Sequence, residues 1–135
     1  VTQETRFPFR LEHAFFNTLE FHREPSVPPQ LNVDFSVQIK VHSEQFPDRL
    51  QIDLKVETQE EQPLTFCLEL IGIFTLVEGE PKPDREILPR FVNERALHVL
   101  WPYLTQLISQ ATVQMGINPL KIPIPYFFAF EPENG

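Results

Sequence analysis

The chain has 135 residues, 41% hydrophobic and 22% charged, the proportions of a folded protein that forms one domain and lacks the length for two ordinary ones. Its net charge of −8 repels phosphate backbones and anionic lipid surfaces, and no basic patch offsets it, which argues against a nucleic-acid partner. No run of about 18 apolar residues occurs, which excludes a membrane-spanning helix and with it membrane insertion.

The first segment, "RFPFRLEHAFFNTLEFHRE", reads as an irregular strand with Leu11, Phe15, Leu19 and Phe21 in one phase and Ala14 and Phe16 in the other. "PSVPPQ" breaks it. From Leu31 to Val41 apolar and polar residues alternate without a gap, the period of a half-buried antiparallel strand. After the turn "SEQFPDR", Leu50, Ile52, Leu54 and Val56 resume the pattern, predicting a hairpin. A second turn, "TQEEQP", leads into Leu64, Phe66, Leu68 and Leu70. Near Gly72 the alternation fails, because "LIGIFTLV" is apolar on both faces. Something is therefore expected to cover that half of the strand.

"EGEPKPDREILPRFVNE" reads as a linker with one short helical turn. Leu97, Leu100, Leu104, Leu107, Ile108, Ala111 and Met115 then recur at spacings of three and four, predicting an amphipathic helix that Gly116 stops. The tail "INPLKIPIPYFFAF" is apolar, and its prolines predict an extended arm. Four strands followed by one helix predict an α+β fold: a four-stranded antiparallel sheet with a long C-terminal helix packed on one face.

Pro102 stands near the start of that helix. A proline in a helix interior costs about 3 kcal/mol, a cost that largely vanishes in the first turn, where its missing amide has no partner. Either the helix begins near Leu100, or a preceding helical piece bends at Pro102, with Trp101 and Tyr103 projecting from the bend.

Thirteen phenylalanines against four glycines are more aromatic surface than a domain of this size readily hides. Some are expected at an interface or a binding groove. The lone cysteine, Cys67, cannot form an internal disulfide and suits a reducing, cytoplasmic setting. It lacks an activating Lys or Gly-rich turn, so His13, His22, His42 and His98 are poor candidates for its base, and a structural cysteine is the favoured reading. No Cys or His stands at zinc-ligand spacing. The acidic residues Asp34, Asp53, Glu57 and Glu69 read first as the wet side of a sheet. A start at Val1 leaves room for a preceding segment.

"CLELIGIFTLV" followed by "HVLWPYLTQLISQATVQMGINPLKIPIPYF" resembles the SecB family of protein-export chaperones. Gly72, Ile73 and Phe74 match a Gly-Ile-Phe element ending a strand. Trp101, Pro102 and Tyr103 match an aromatic-Pro-Tyr step opening a long helix, and Pro119, Leu120, Ile122 and Phe127 approximate a lid segment. The resemblance implies a homotetramer built as a dimer of dimers, a need for neither nucleotide nor metal, and apolar grooves that hold unfolded client polypeptides.

On this reading the grooves are formed by the first two strands, the helix bend and the proline-rich arm, with client contacts at Phe15, Leu19, Phe21, Trp101, Tyr103, Ile122, Tyr126, Phe127 and Phe128. The family's docking of the translocation motor SecA through acidic side chains points to Glu20 and Glu69. Thr18, His22 and Cys67 stand where further acidic residues are expected, and no C-terminal helix follows, both of which count against SecA as a partner. A chaperone dedicated to an antitoxin, or a carrier of hydrophobic small molecules, is the alternative.

Overall fold

In a computed structural model, which describes residues 7–28, 31–120, 122, 132 and 133, the alternating segments form strands β1 (Phe9–Arg23), β2 (Phe35–His42), β3 (Arg49–Thr58) and β4 (Leu64–Leu76). A two-residue strand, β5 (Pro132–Glu133), completes a sheet of order β1-β4-β3-β2-β5. The first four strands pair antiparallel, as expected, and β5 pairs parallel with β2.

The strand order separates the two strands expected to line the grooves. β1 pairs with β4 and β2 with β3, so the first two strands lie toward opposite edges with two strands between them. A groove walled by β1 and β2 as neighbours does not form within one protomer. The physical reason is length: β4, at 13 residues, matches the 15 of β1 along its whole run, while β2 offers 8. The second predicted strand is also shorter than its alternation, beginning at Phe35 rather than Leu31.

Leu50, Ile52, Leu54 and Val56 of β3 and Leu64, Phe66, Leu68, Leu70 and Phe74 of β4 point to one face and are buried there. Helix α2 (Leu97–Gln114) covers that face through Leu97, Leu100, Trp101, Leu104 and Ile108. Gly72 marks the close approach. A Cβ at that position would lie 2.7 Å from Leu100 Cδ2, so only glycine lets the leucine settle against the strand.

The presumed linker is half helix. Arg85–Ile87 form a 3₁₀ turn, Leu88–Phe91 a short helix α1, and Val92–Ala96 a π-helical segment that runs directly into α2. Leu88, Phe91, Val92 and Ala96 are buried, which is why tertiary packing carries helix into a stretch rich in turn residues. The helical run therefore starts a dozen residues before Leu100 and continues through Pro102, whose side is exposed. Gly116, at φ +77°, ends it in the left-handed conformation expected of a C-cap glycine.

Candidate functional site

The irregularity of β1 decides where its aromatic residues point. Its register against β4 slips between Leu11 and His13 and again between Phe16 and Thr18. Each bulge inserts one extra residue and reverses which parity faces the helix. Leu11, Ala14, Phe16, Leu19 and Phe21 thus pair with Phe74, Gly72, Leu70, Leu68 and Phe66 on the helix side, whereas Phe15 pairs with Ile71 on the opposite side. The single phase read for Leu11, Phe15, Leu19 and Phe21 is broken at Phe15. A count of two cannot register an inserted residue, so alternation alone does not reveal it.

Surface remains where the sequence placed its binding residues. Leu19 is 51% exposed, Tyr103 45% and Phe15 39%, and Phe21 is half-buried against Phe66 at a ring separation of 5.6 Å. Trp101 and Ile122 behave differently. They are 2% and 6% exposed, and Trp101 Nε1 donates to the Ile122 carbonyl at 2.9 Å. Both offer their apolar surface to the protomer's own interior, and their hydrogen bond anchors the chain after the helix. Tyr126, Phe127 and Phe128 lie outside the described residues.

The sheet face away from the helix carries the polar rows. Glu20, Cys67 and Glu57 stand side by side on β1, β4 and β3, and the neighbouring row is Thr18, Glu69 and Lys55. Glu20 and Glu69 are thus adjacent on one face, and Asn17, the extra residue of the second bulge, donates its side-chain amide to Glu69 Oε1 at 2.6 Å. His22 continues the same side opposite Thr65. A shallow cleft of about 370 Å³ opens at this end of the sheet between Glu20, Glu57, Glu60, Glu61 and Cys67. Burial first, then a hydrogen bond to Glu57 and its negative charge, push the Cys67 thiol above its ordinary range. This is the reverse of the setting a nucleophilic thiolate needs.

Nearer the middle of that face Ile71 sits between Phe15 and Asp53, and Ile73 between His13 and Gln51. Ile71 is only 8% exposed and Ile73 is half-buried, so the doubly apolar half of β4 is covered in part within its own chain. Among the described residues no group of three or more His, Cys, Asp or Glu is arranged to hold a metal ion, and no helix is long and apolar enough to cross a membrane.

Sequence reading missed Arg23. From the end of β1 it donates Nη1 to the carbonyl of Met115, Nη2 to Pro25 and Nε to Glu24, binding the helix C-terminus with a cation where the helix dipole favours one. Only tertiary proximity joins residues 92 positions apart.

A family model described as preprotein translocase subunit SecB matches residues 12–130. The chain belongs to the SecB family. Among solved structures, this SecB-family chain resembles a SecB-like chaperone of Mycobacterium tuberculosis in complex with a ChAD peptide from the HigA1 antitoxin. The TM-score is 0.69 at 17% identity, over 87% of this chain and 91% of that one. A protein of unknown function from Streptococcus agalactiae aligns with a TM-score of 0.43 at 12% identity, over 85% and 96% of the two chains. Comparison with curated proteins returns no match. SecB membership agrees with the resemblance carried by Gly72, Ile73, Phe74, Trp101, Pro102 and Tyr103, and it is a chaperone family rather than an enzyme family.

Proposed function

We propose that this SecB-family chain is an ATP-independent holdase that keeps non-native polypeptides soluble, in export or beside it. One observation carries the reading: of the ten phenylalanines described, four are buried, five pack half-buried against the core, and Phe15 stays exposed together with Leu19 and Tyr103. The protomer folds and still displays aromatic surface. Exposed apolar residues on an edge strand and on a helix flank suit sister subunits and extended clients alike.

Leu19, Phe21 and Tyr103 supply client contact on the helix side and Phe15 on the reverse side, while Trp101 and Ile122 hold the scaffold. Tyr126, Phe127 and Phe128 are kept as further client contacts on the strength of the sequence. Each contact contributes at about 25 cal/mol per Å² of apolar area removed from water, which tolerates many client sequences. Assembly as a dimer of dimers in the cytoplasm completes the reading, with the negative charge of −8 keeping complexes soluble.

A chaperone dedicated to one partner is the second reading. It is supported by Thr18, His22 and Cys67 on the polar face, where Glu20 and Glu69 are left to dock SecA, and by the antitoxin peptide bound to the solved relative. The carrier reading has less support, because Leu100 fills the space between helix and sheet at Gly72.

The test mixes the protein with slowly refolding clients and follows light scattering and native mass. Suppressed aggregation with a stable complex is expected for several clients. Suppression limited to one client selects the dedicated chaperone, and a monomer that leaves every client's aggregation unchanged overturns both readings.

A further inference from the structure

On the sheet face away from the helix, the register sets Glu20, Cys67 and Glu57 side by side at one end and Arg10, Thr75 and Arg49 at the other. Between them runs the row Phe15, Ile71, Asp53 and Lys40. Arg10, Glu20, Arg49 and Glu57 are all exposed, and among the described residues none of the four makes an ion pair. Glu44, in the turn before β3, borders Arg49 without pairing with it. Nearer the middle the charges balance within the chain. Lys55 stands opposite Glu69 and Lys40 opposite Asp53, and Asp53 is hydrogen-bonded to His42 at 2.7 Å and accepts from Gln51 at 2.9 Å. The face is thus acidic at one end, basic at the other, and apolar at a waist where Phe15 stays 39% exposed.

The spacing of these groups is symmetric. On β3, Glu57 and Arg49 each stand four residues from Asp53, and on β4, Cys67 and Thr75 each stand four from Ile71. On β1 one bulge falls on either side of Phe15, leaving it five residues from both Glu20 and Arg10. A twofold axis that runs across the strands, in the plane of the face and through the Phe15 row, lays each strand antiparallel over its own counterpart in a second copy. Glu57 of each copy then meets Arg49 of the other, Glu20 meets Arg10, and Phe15 meets Phe15. On the axis Asp53 faces Asp53, with His42 and Lys40 beside each to offset the charge. A closed twofold interface requires a patch that is its own complement, and face-to-face sheets stack within about 30° of this alignment.

We propose that this reverse face docks a second copy of the chain in antiparallel stacking, held by opposite charges at both ends and by Phe15 at the centre. The face measures roughly 27 Å by 19 Å, so the pairing buries about 1,000 Å² in total, at the low end for a specific interface. Association is therefore weak and falls as salt screens the charges. The inference goes beyond the proposed function: while two copies are stacked, Phe15 is withheld from clients and Glu20 from SecA.

Analytical ultracentrifugation of the full chain without any client tests it, so its outcome is separate from that of the holdase assay. At low salt the unaltered chain is expected to associate about tenfold or more tightly than Arg49→Glu or Glu57→Arg, each of which sets like charges against one another twice across the axis. Both positions are exposed, so both variants keep the fold. Mixing the two variants, or combining both substitutions in one chain, sets opposite charges together again at these contacts and is expected to restore the association. An unaltered chain that associates no more tightly than the variants overturns the proposal. Loss in both single variants that neither rescue repairs overturns it as well, and leaves the face to a partner other than a second copy.

Discussion

Trp101 reaches across 21 residues to donate its indole N–H to the carbonyl of Ile122, at 2.9 Å and out of contact with solvent. The bond satisfies two buried polar groups at once and fastens the chain leaving α2 back onto the helix. Trp101→Phe keeps most of the ring's bulk and leaves the Ile122 carbonyl without its donor, at an expected cost of about 1–3 kcal/mol. Trp101→Ala adds a cavity and is expected to cost about 3–5 kcal/mol. Urea unfolding of the two variants measures both, and a Trp101→Phe variant as stable as the unaltered chain would show that the hydrogen bond contributes nothing beyond packing.

Gly72 and Leu100 meet where the helix sits lowest on the sheet. Gly72→Ala places a methyl group 2.7 Å from Leu100 Cδ2 in a core where Leu100 is fully buried. The leucine then leaves its rotamer or the helix lifts, an expected loss of about 1–3 kcal/mol. Leu100→Ala should recover part of that loss in the Gly72→Ala background while destabilising the unaltered chain. A double-mutant cycle reads the coupling.

Arg23 holds the C-terminal end of α2 through Met115. Arg23→Ala removes the cation and three backbone bonds, and thermal unfolding should show a loss of about 1 kcal/mol. Arg23→Lys, which keeps the charge without the fork of donors, is expected to fall between the two. A Lys variant no better than Ala would assign the effect to hydrogen bonding alone.

Cys67 should be a slow nucleophile. Its thiol is held above the ordinary range by burial and by Glu57, so iodoacetamide at pH 8 is expected to alkylate it more slowly than a free thiol. Glu57→Gln should speed the reaction. The linkage has a definite sign: the folded chain holds this proton more tightly than the unfolded one. Its contribution to stability is therefore present below the ordinary thiol pKa of 9.0 and is lost as pH rises through the folded value.

Leu19 and Tyr103 are largely exposed in the protomer, so polar replacements separate binding from folding. Leu19→Ser and Tyr103→Ser are expected to change unfolding free energy by no more than about 0.5 kcal/mol. Together they should weaken holdase activity several-fold in the light-scattering assay. Unchanged activity at unchanged oligomer size would remove these residues from the client surface.

Much of this was legible one residue at a time. Strict alternation in β2 and β3 places Val41, Leu50, Ile52, Leu54 and Val56 in the core because a strand's side chains can only point two ways. The three- and four-residue spacing from Leu97 to Ile108 likewise commits one helical stripe to burial. What alternation cannot carry is an insertion. The bulges at Glu12 and Asn17 turn Phe15 away from Leu19 and Phe21, and nothing in a list of apolar positions marks them. Helix also entered the 85–96 stretch against its local composition, because Leu88, Phe91, Val92 and Ala96 found a core to fill.

By itself, then, the sequence determined the four antiparallel strands, the helix stripe, its Gly116 stop and an aromatic excess, since each follows from local stereochemistry or from arithmetic. The tertiary structure alone decided which strands are neighbours, which of the aromatic residues remain at the surface, and that Trp101 and Ile122 are anchors rather than open contacts. Those outcomes depend on which distant segments win the competition to bury one another, and that competition is settled only when the whole chain has packed.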